Sequence, residues 1–103
     1  MVNVLANSDS DVQLVANALQ KFDDAHPSSD CSVYRYNSAS IRVRIIDASF
    51  TQKDKGERHD YAMTYLSGLP ESTLCQISIL LCLAPGETSL MDLEFSDPKP
   101  STL

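Results

Sequence analysis

Two periods organise the apolar residues of this chain. After Ser10, the residues Val12, Val15, Ala16, Leu19 and Phe22 recur at i, i+3, i+4, i+7 and i+10, which lines them along one face of a helix. Ser10 and Gln13 have capping-box spacing, and Asp9 and Asp11 suit the positive end of a helix. The helix must stop before His26, because Pro27 disfavours helical backbone in the residue ahead of it. From Ile41 the period changes to two: Ile41, Val43 and Ile45 alternate with Arg42 and Arg44, the signature of a strand burying one face and turning its arginines outward. Cys31 to Tyr36 reads as the preceding strand, and the short polar connection around Asn37 and Ser38 predicts a hairpin.

Phe50 to Gly56 reads as a loop. From about Glu57 the pattern is helical again, carried by Tyr61, Tyr65 and Leu66 beside Ala62 and Met63, and it ends at Gly68. Pro70 and Glu71 open a short second helix. Ile77 to Leu83 is a nearly continuous apolar run bounded by Pro85 and Gly86; its length and its bounding turn residues favour a central strand covered on both faces over a helix. Ser89 to Phe95 alternates Met91, Leu93 and Phe95 with Asp92 and Glu94, which predicts a half-buried edge strand. Met1 to Ser8 either frays or adds a short strand, and the proline-bearing tail 96–103 is expected to be disordered. The order α-β-β-α-α-β, with a further strand at the end, predicts a two-layer α+β domain over 1–95, its helices packed on one face of a small mixed sheet.

Length and composition sharpen this picture. A chain of 103 residues with 43% apolar and 21% charged residues suits one folded domain with one core. Cys31, Cys75 and Cys82 are an odd set without Cys-x-x-Cys spacing, which favours reduced thiols. No secretory or membrane-spanning pattern stands in the chain, so a cytoplasmic, unanchored protein is expected. The net charge of −6 argues against nucleic acid as a partner. That charge is unevenly spread: residues 35–58 carry six basic and three acidic groups. This basic island (Arg42, Arg44, Lys53, Lys55 and Arg58 among its members) either solvates a sheet face and a loop or docks an acidic partner.

Candidate chemistry is sparse. The three glycines, at 56, 68 and 86, stand apart and build no phosphate-cradling loop. Ser49 or Cys31 with His59 and Asp47 or Asp60 makes a nucleophilic trio only on paper, since such partners are recognised by geometry. His59 stands near the start of the second long helix, and neutral imidazole is a common metal ligand. A histidine with no second ligand at helical spacing reads first as a structural or solvated side chain.

The run Ile41 to Phe50, followed after seven residues by Arg58 and His59, resembles the BolA family, in which a β-branched strand leads to a phenylalanine, a basic loop and an Arg-His pair opening the next helix. The likeness extends over about residues 10–87 in the order of elements. It implies a small, non-enzymatic adaptor that pairs with a monothiol glutaredoxin and shares a [2Fe-2S] cluster with it, with His59 as a ligand and Arg58 and the basic island docking the partner. It implies no cofactor resident in the chain alone. Two features of the family pattern are missing: the connection 37–40 is short and holds no cysteine or histidine, and no glycine closely follows Phe50. Cys31 and His26 are the nearest substitutes for a second ligand. The alternative is a metal-free interaction or homodimerisation module working through the arginine-bearing sheet face.

Overall fold

A computed structural model describes residues 1–6, 8–89 and 92–96, without the side chains of Leu93 and Glu94. The apolar stripe of the first half folds as helix α1, Ser10–Ala25. Val12, Val15, Leu19 and Phe22 are wholly buried. Its cap is Asp9 and not Ser10: the Asp9 carboxylate accepts the Val12 N–H at 3.0 Å from an extended residue. An N-cap residue must lie outside helical backbone angles, and Ser10 is already the first helical residue. At the other end the His26 N–H closes on the Phe22 carbonyl at 2.8 Å just ahead of Pro27.

Strands β2 (Asp30–Asn37) and β3 (Ser40–Ile46) form the expected hairpin. Its turn is held by the Asn37 side chain, which accepts the Ala39 N–H at 2.9 Å. Val2–Val4 adds strand β1, parallel to β2, which resolves the ambiguity of the N-terminus. After a single 3₁₀ turn, Ala48–Phe50, helix α2 runs Lys55–Leu66. It starts ahead of Glu57 because Asp54 and Glu57 form a capping box, each side chain accepting the other's backbone N–H. A short helix α3, Glu71–Leu74, leads into strand β4, Ile77–Leu83.

The sheet order is β1-β2-β3-β4, with β4 parallel to β3. The run Ile77 to Leu83 is therefore a strand, but an edge strand and not a central one. Its continuous apolarity comes from contact on both faces: Leu80 and Cys82 pack on the core under the helices, while Leu83 on the alternate face is buried too. Helices α1, α2 and α3 share one face of the sheet, over Cys31, Val33, Ile41, Val43 and Ile45.

The expected strand over Ser89 to Phe95 is corrected: Asp92–Ser96 is a short helix, α4, and Leu90 and Met91 lie outside the described residues. A two-residue alternation over so few positions does not distinguish strand from helix. In the helix, Asp92 and Phe95 stand one turn apart and meet the sheet together. Helix α4 lies on the face opposite the other helices, since Phe95 packs on Tyr34 and Asp92 on Arg44, so the helices are not confined to one face. Ser96 closes α4, and the tail expected to be disordered otherwise lies at 97–103, outside the described residues. Among the described residues no helix is long and apolar enough to cross a membrane.

Candidate functional site

The opening of α2 stands beside the outer edge of β4, and between them lies an open cleft of about 870 Å³. One wall is Lys53, Asp54, Lys55, Arg58 and His59; the other is Leu80 to Leu83 with the segment 86–89. The capping box fixes where α2 begins, and so places Arg58 and His59 in its first two turns.

Those two neighbours point to different tasks. His59 is exposed at the cleft. Arg58 turns inward, its side chain only 12% exposed. Its Nε donates to the Lys53 carbonyl at 2.8 Å and its Nη1 to the Cys82 carbonyl at 3.3 Å. Both Nη atoms grip the Glu87 carboxylate, at 2.6 and 2.9 Å. Glu87 in turn accepts the Ala84 N–H at 2.9 Å. Arg58 and Glu87 thus hold the polar groups at the end of β4 much as a neighbouring strand would, and close that part of the edge. Arg58 is thereby held in the cleft wall with its side chain turned from solvent.

The hydrogen bonds from Arg58, then that from Ala84, hold the Glu87 carboxyl down from its ordinary 4.5 to about 2. A depressed carboxyl stabilises the fold fully above its unfolded value and loses that contribution as pH falls toward its folded value. Wild type is therefore expected to lose stability more steeply than Glu87→Gln between pH 4.5 and about 2, and in parallel with it above that window. Urea midpoints measured across this range check the difference; parallel curves throughout would show that the clamp does not act in solution.

Cys82 shares the cleft lining with His59, and burial pushes its thiol up to about 12. Cys31 is fully buried, and its thiol is raised by burial to about 11. Neither is a ready thiolate near neutral pH. Cys75 is exposed.

Of the two substitutes for a second ligand, neither Cys31 nor His26 lines the cleft. His26 belongs to a separate chain of contacts: its Nε2 lies 2.7 Å from the Tyr61 hydroxyl, and its Nδ1 lies 3.4 Å from Asp47 Oδ2. Among the described residues no group of three or more histidines, cysteines or carboxylates is arranged to hold a metal ion.

The basic island divides between two surfaces. Lys53 and Lys55 border the cleft beside His59, Lys53 donating to the Ser49 carbonyl at 3.1 Å and lying 5.0 Å from the Tyr61 ring centre. Arg42 and Arg44 stand on the other face of the sheet. They point away from α1 as the alternation requires, yet they are half-buried. Arg42 lies 3.6 Å over the Tyr36 ring and donates to the Tyr34 hydroxyl at 3.1 Å; Arg44 pairs with Asp92 and donates to Ser32 Oγ at 3.3 Å. Glu87, and the place of Cys82 in the cleft, were not legible in the sequence, because 29 and 24 residues separate them from Arg58. The turn residues Pro85 and Gly86 were the one local sign that the chain folds back there. Set against family models, curated proteins and solved structures, the chain matches none.

Proposed function

We propose that this protein is a BolA-like, non-enzymatic cytoplasmic adaptor, in which His59 supplies one ligand to a [2Fe-2S] cluster shared with a monothiol glutaredoxin. The observation that carries this reading is the division of labour within the Arg-His pair opening α2. Arg58 is consumed in fixing the cleft, and His59 is left exposed on it between Lys53, Lys55 and the edge of β4.

The donor set fits a shared group better than a resident one. A [2Fe-2S] cluster takes four protein ligands, and imidazole in place of thiolate raises its potential. His59 is a free donor, and Cys82 would first have to give up a proton that burial holds tightly; the remaining ligands fall to the partner. The lysines beside His59 suit an acidic docking surface and speed encounter with it.

Reconstitution with a monothiol glutaredoxin, iron and sulfide tests the reading. Visible absorption and circular dichroism are expected to differ between wild type and His59→Ala, with the cluster of the mixed complex lost or altered in the variant. Identical spectra would remove His59 as a ligand. Since His59 is exposed, the variant is expected to unfold within about 0.5 kcal/mol of wild type, so lost spectra would not reflect lost folding.

A second reading, a metal-free interaction or homodimerisation module acting through the arginine-bearing sheet face, is favoured by a different observation: that face already holds an acidic helix, α4.

A further inference from the structure

The sheet face opposite α1 has an unusual lining. Ser32 and Tyr34 of β2 are 2% and 0% exposed, although neither α1 nor α2 lies over them. Helix α4 meets this face through two of its described side chains, Asp92 and Phe95. Asp92 accepts from Arg44, and Phe95, 3% exposed, stands edge-on to Tyr34 with ring centres 5.3 Å apart and its own ring 5.3 Å from the Arg44 guanidinium. A carboxylate meeting a guanidinium and a buried aromatic ring, one helical turn apart, are the kind of anchors by which an amphipathic helix is recognised.

Helix α4 spans five residues, far below the ~12–15 at which an isolated helix becomes even marginally stable in water. It is helical because it is docked. Among the described residues, the buried cluster beneath α1 and α2 includes none beyond Ala84. Upstream, the chain is pinned at Glu87 by Arg58, so α4 can leave the sheet without pulling on β4 or on the Arg58–Glu87 pair.

We infer that the face formed by Tyr34, Tyr36, Arg42 and Arg44 is a docking site for an acidic helix of a partner protein carrying a carboxylate and, three residues on, a phenylalanine, and that α4 is its exchangeable occupant in cis. This rests on the second reading above and is independent of His59. Charge selects the occupant: two arginines on this face of a chain whose net charge is −6 attract an acidic segment and repel a basic one. The tether keeps α4 at a high local concentration, on the order of millimolar for a short linker, so a partner helix binds at reduced apparent affinity until α4 is displaced.

The test uses the full-length chain and a fluorescein-labelled peptide of sequence 89–103. The release variant Asp92→Lys/Phe95→Ala is expected to bind the peptide at least about tenfold more tightly than wild type, because the competitor in cis is gone. Binding should weaken from roughly 0.05 to 0.5 M salt and vanish when Arg44→Glu is added. Far-UV circular dichroism checks that each variant is folded, and Phe95→Ala alone carries the same comparison if the double variant is not. No binding to a folded release variant, or binding indifferent to Arg44→Glu, would overturn the inference. Should the peptide fail to bind while wild type forms a salt-sensitive homodimer that Arg44→Glu abolishes, the docked-helix inference falls and the metal-free interaction reading stands.

Discussion

Replacing Phe22 with alanine is expected to lower the unfolding free energy by about 3–5 kcal/mol, the usual range for emptying a buried aromatic site. The ring is fully buried and stands at the centre of an aromatic cluster: His26 at 4.4 Å, Tyr65 at 5.1 Å, Phe50 at 6.0 Å and Tyr61 at 6.1 Å between ring centres. These neighbours come from the C-cap of α1, from α2 and from the turn after β3, so Phe22 joins the elements that carry the cleft. Domains of this size have about 5–15 kcal/mol in total, so the loss takes a large share. Phe22→Leu keeps most of the apolar volume and should cost about 1–2 kcal/mol, since swaps that nearly conserve volume are tolerated better than cavities. Urea denaturation followed by circular dichroism checks both. A loss below about 1 kcal/mol for the alanine variant would mean that the α1–α2 contact collapses onto the gap and that its aromatic cluster carries little of the stability.

The stripe that contains Phe22 was the plainest feature of the sequence, and helix α1 follows it to within a residue. The β2–β3 hairpin and the strand at Ile77 were equally legible, because alternation and bounding turn residues are local signals. What local pattern cannot carry is adjacency. Nothing in the run Ile77 to Leu83 says that, among the described residues, β3 alone pairs with it, and its apolarity on both faces imitates a central strand. The same limit explains α4. Its alternation suits a strand, and only the meeting of Asp92 and Phe95 with Arg44 and Tyr34, some fifty to sixty residues earlier in the chain, makes the helical turn worth forming.

The cleft was half legible. Adjacent side chains on a helix diverge by about 100°, so an Arg-His pair necessarily sends its members in different directions. Which of the two turns inward depends on Glu87 and the Cys82 carbonyl, groups that no spacing rule connects to Arg58. The basic island divides for the same reason. Its members are near each other in sequence, but Arg42 and Arg44 follow the pleat of β3 to one side of the sheet, and the residues from Lys53 onward follow the chain across to the other. A cluster of charge along a chain is a cluster in space only when one element carries it.

Asp47 lies where the strand hands over to that crossing, and Asp47→Ala is expected to cost about 2 kcal/mol, near the upper end for loss of an N-cap. The residue is 5% exposed. Its N–H donates to the Leu83 carbonyl at 3.0 Å, next to the last paired residues of β3 and β4. Its carboxylate accepts both the N–H and the hydroxyl of Ser49, the former at 3.0 Å, and so starts the turn that puts Phe50 into the core. The side chain also faces His26 Nδ1 across 3.4 Å, which ties the start of the turn to the end of α1. Asp47→Asn retains an acceptor oxygen and should cost less than about 1 kcal/mol, since asparagine caps nearly as well as aspartate. If the His26 contact contributes, the double-mutant cycle of Asp47→Ala with His26→Ala should show a coupling of at least about 0.5 kcal/mol. The turn feeds the loop that ends at Asp54, the cap of α2, so the alanine variant should also lose amide-exchange protection in the first turn of that helix, beside His59. Protection unchanged there, with stability within about 0.5 kcal/mol of wild type, would mean that the buried carboxylate neither holds the turn nor sets where the helix bearing His59 begins.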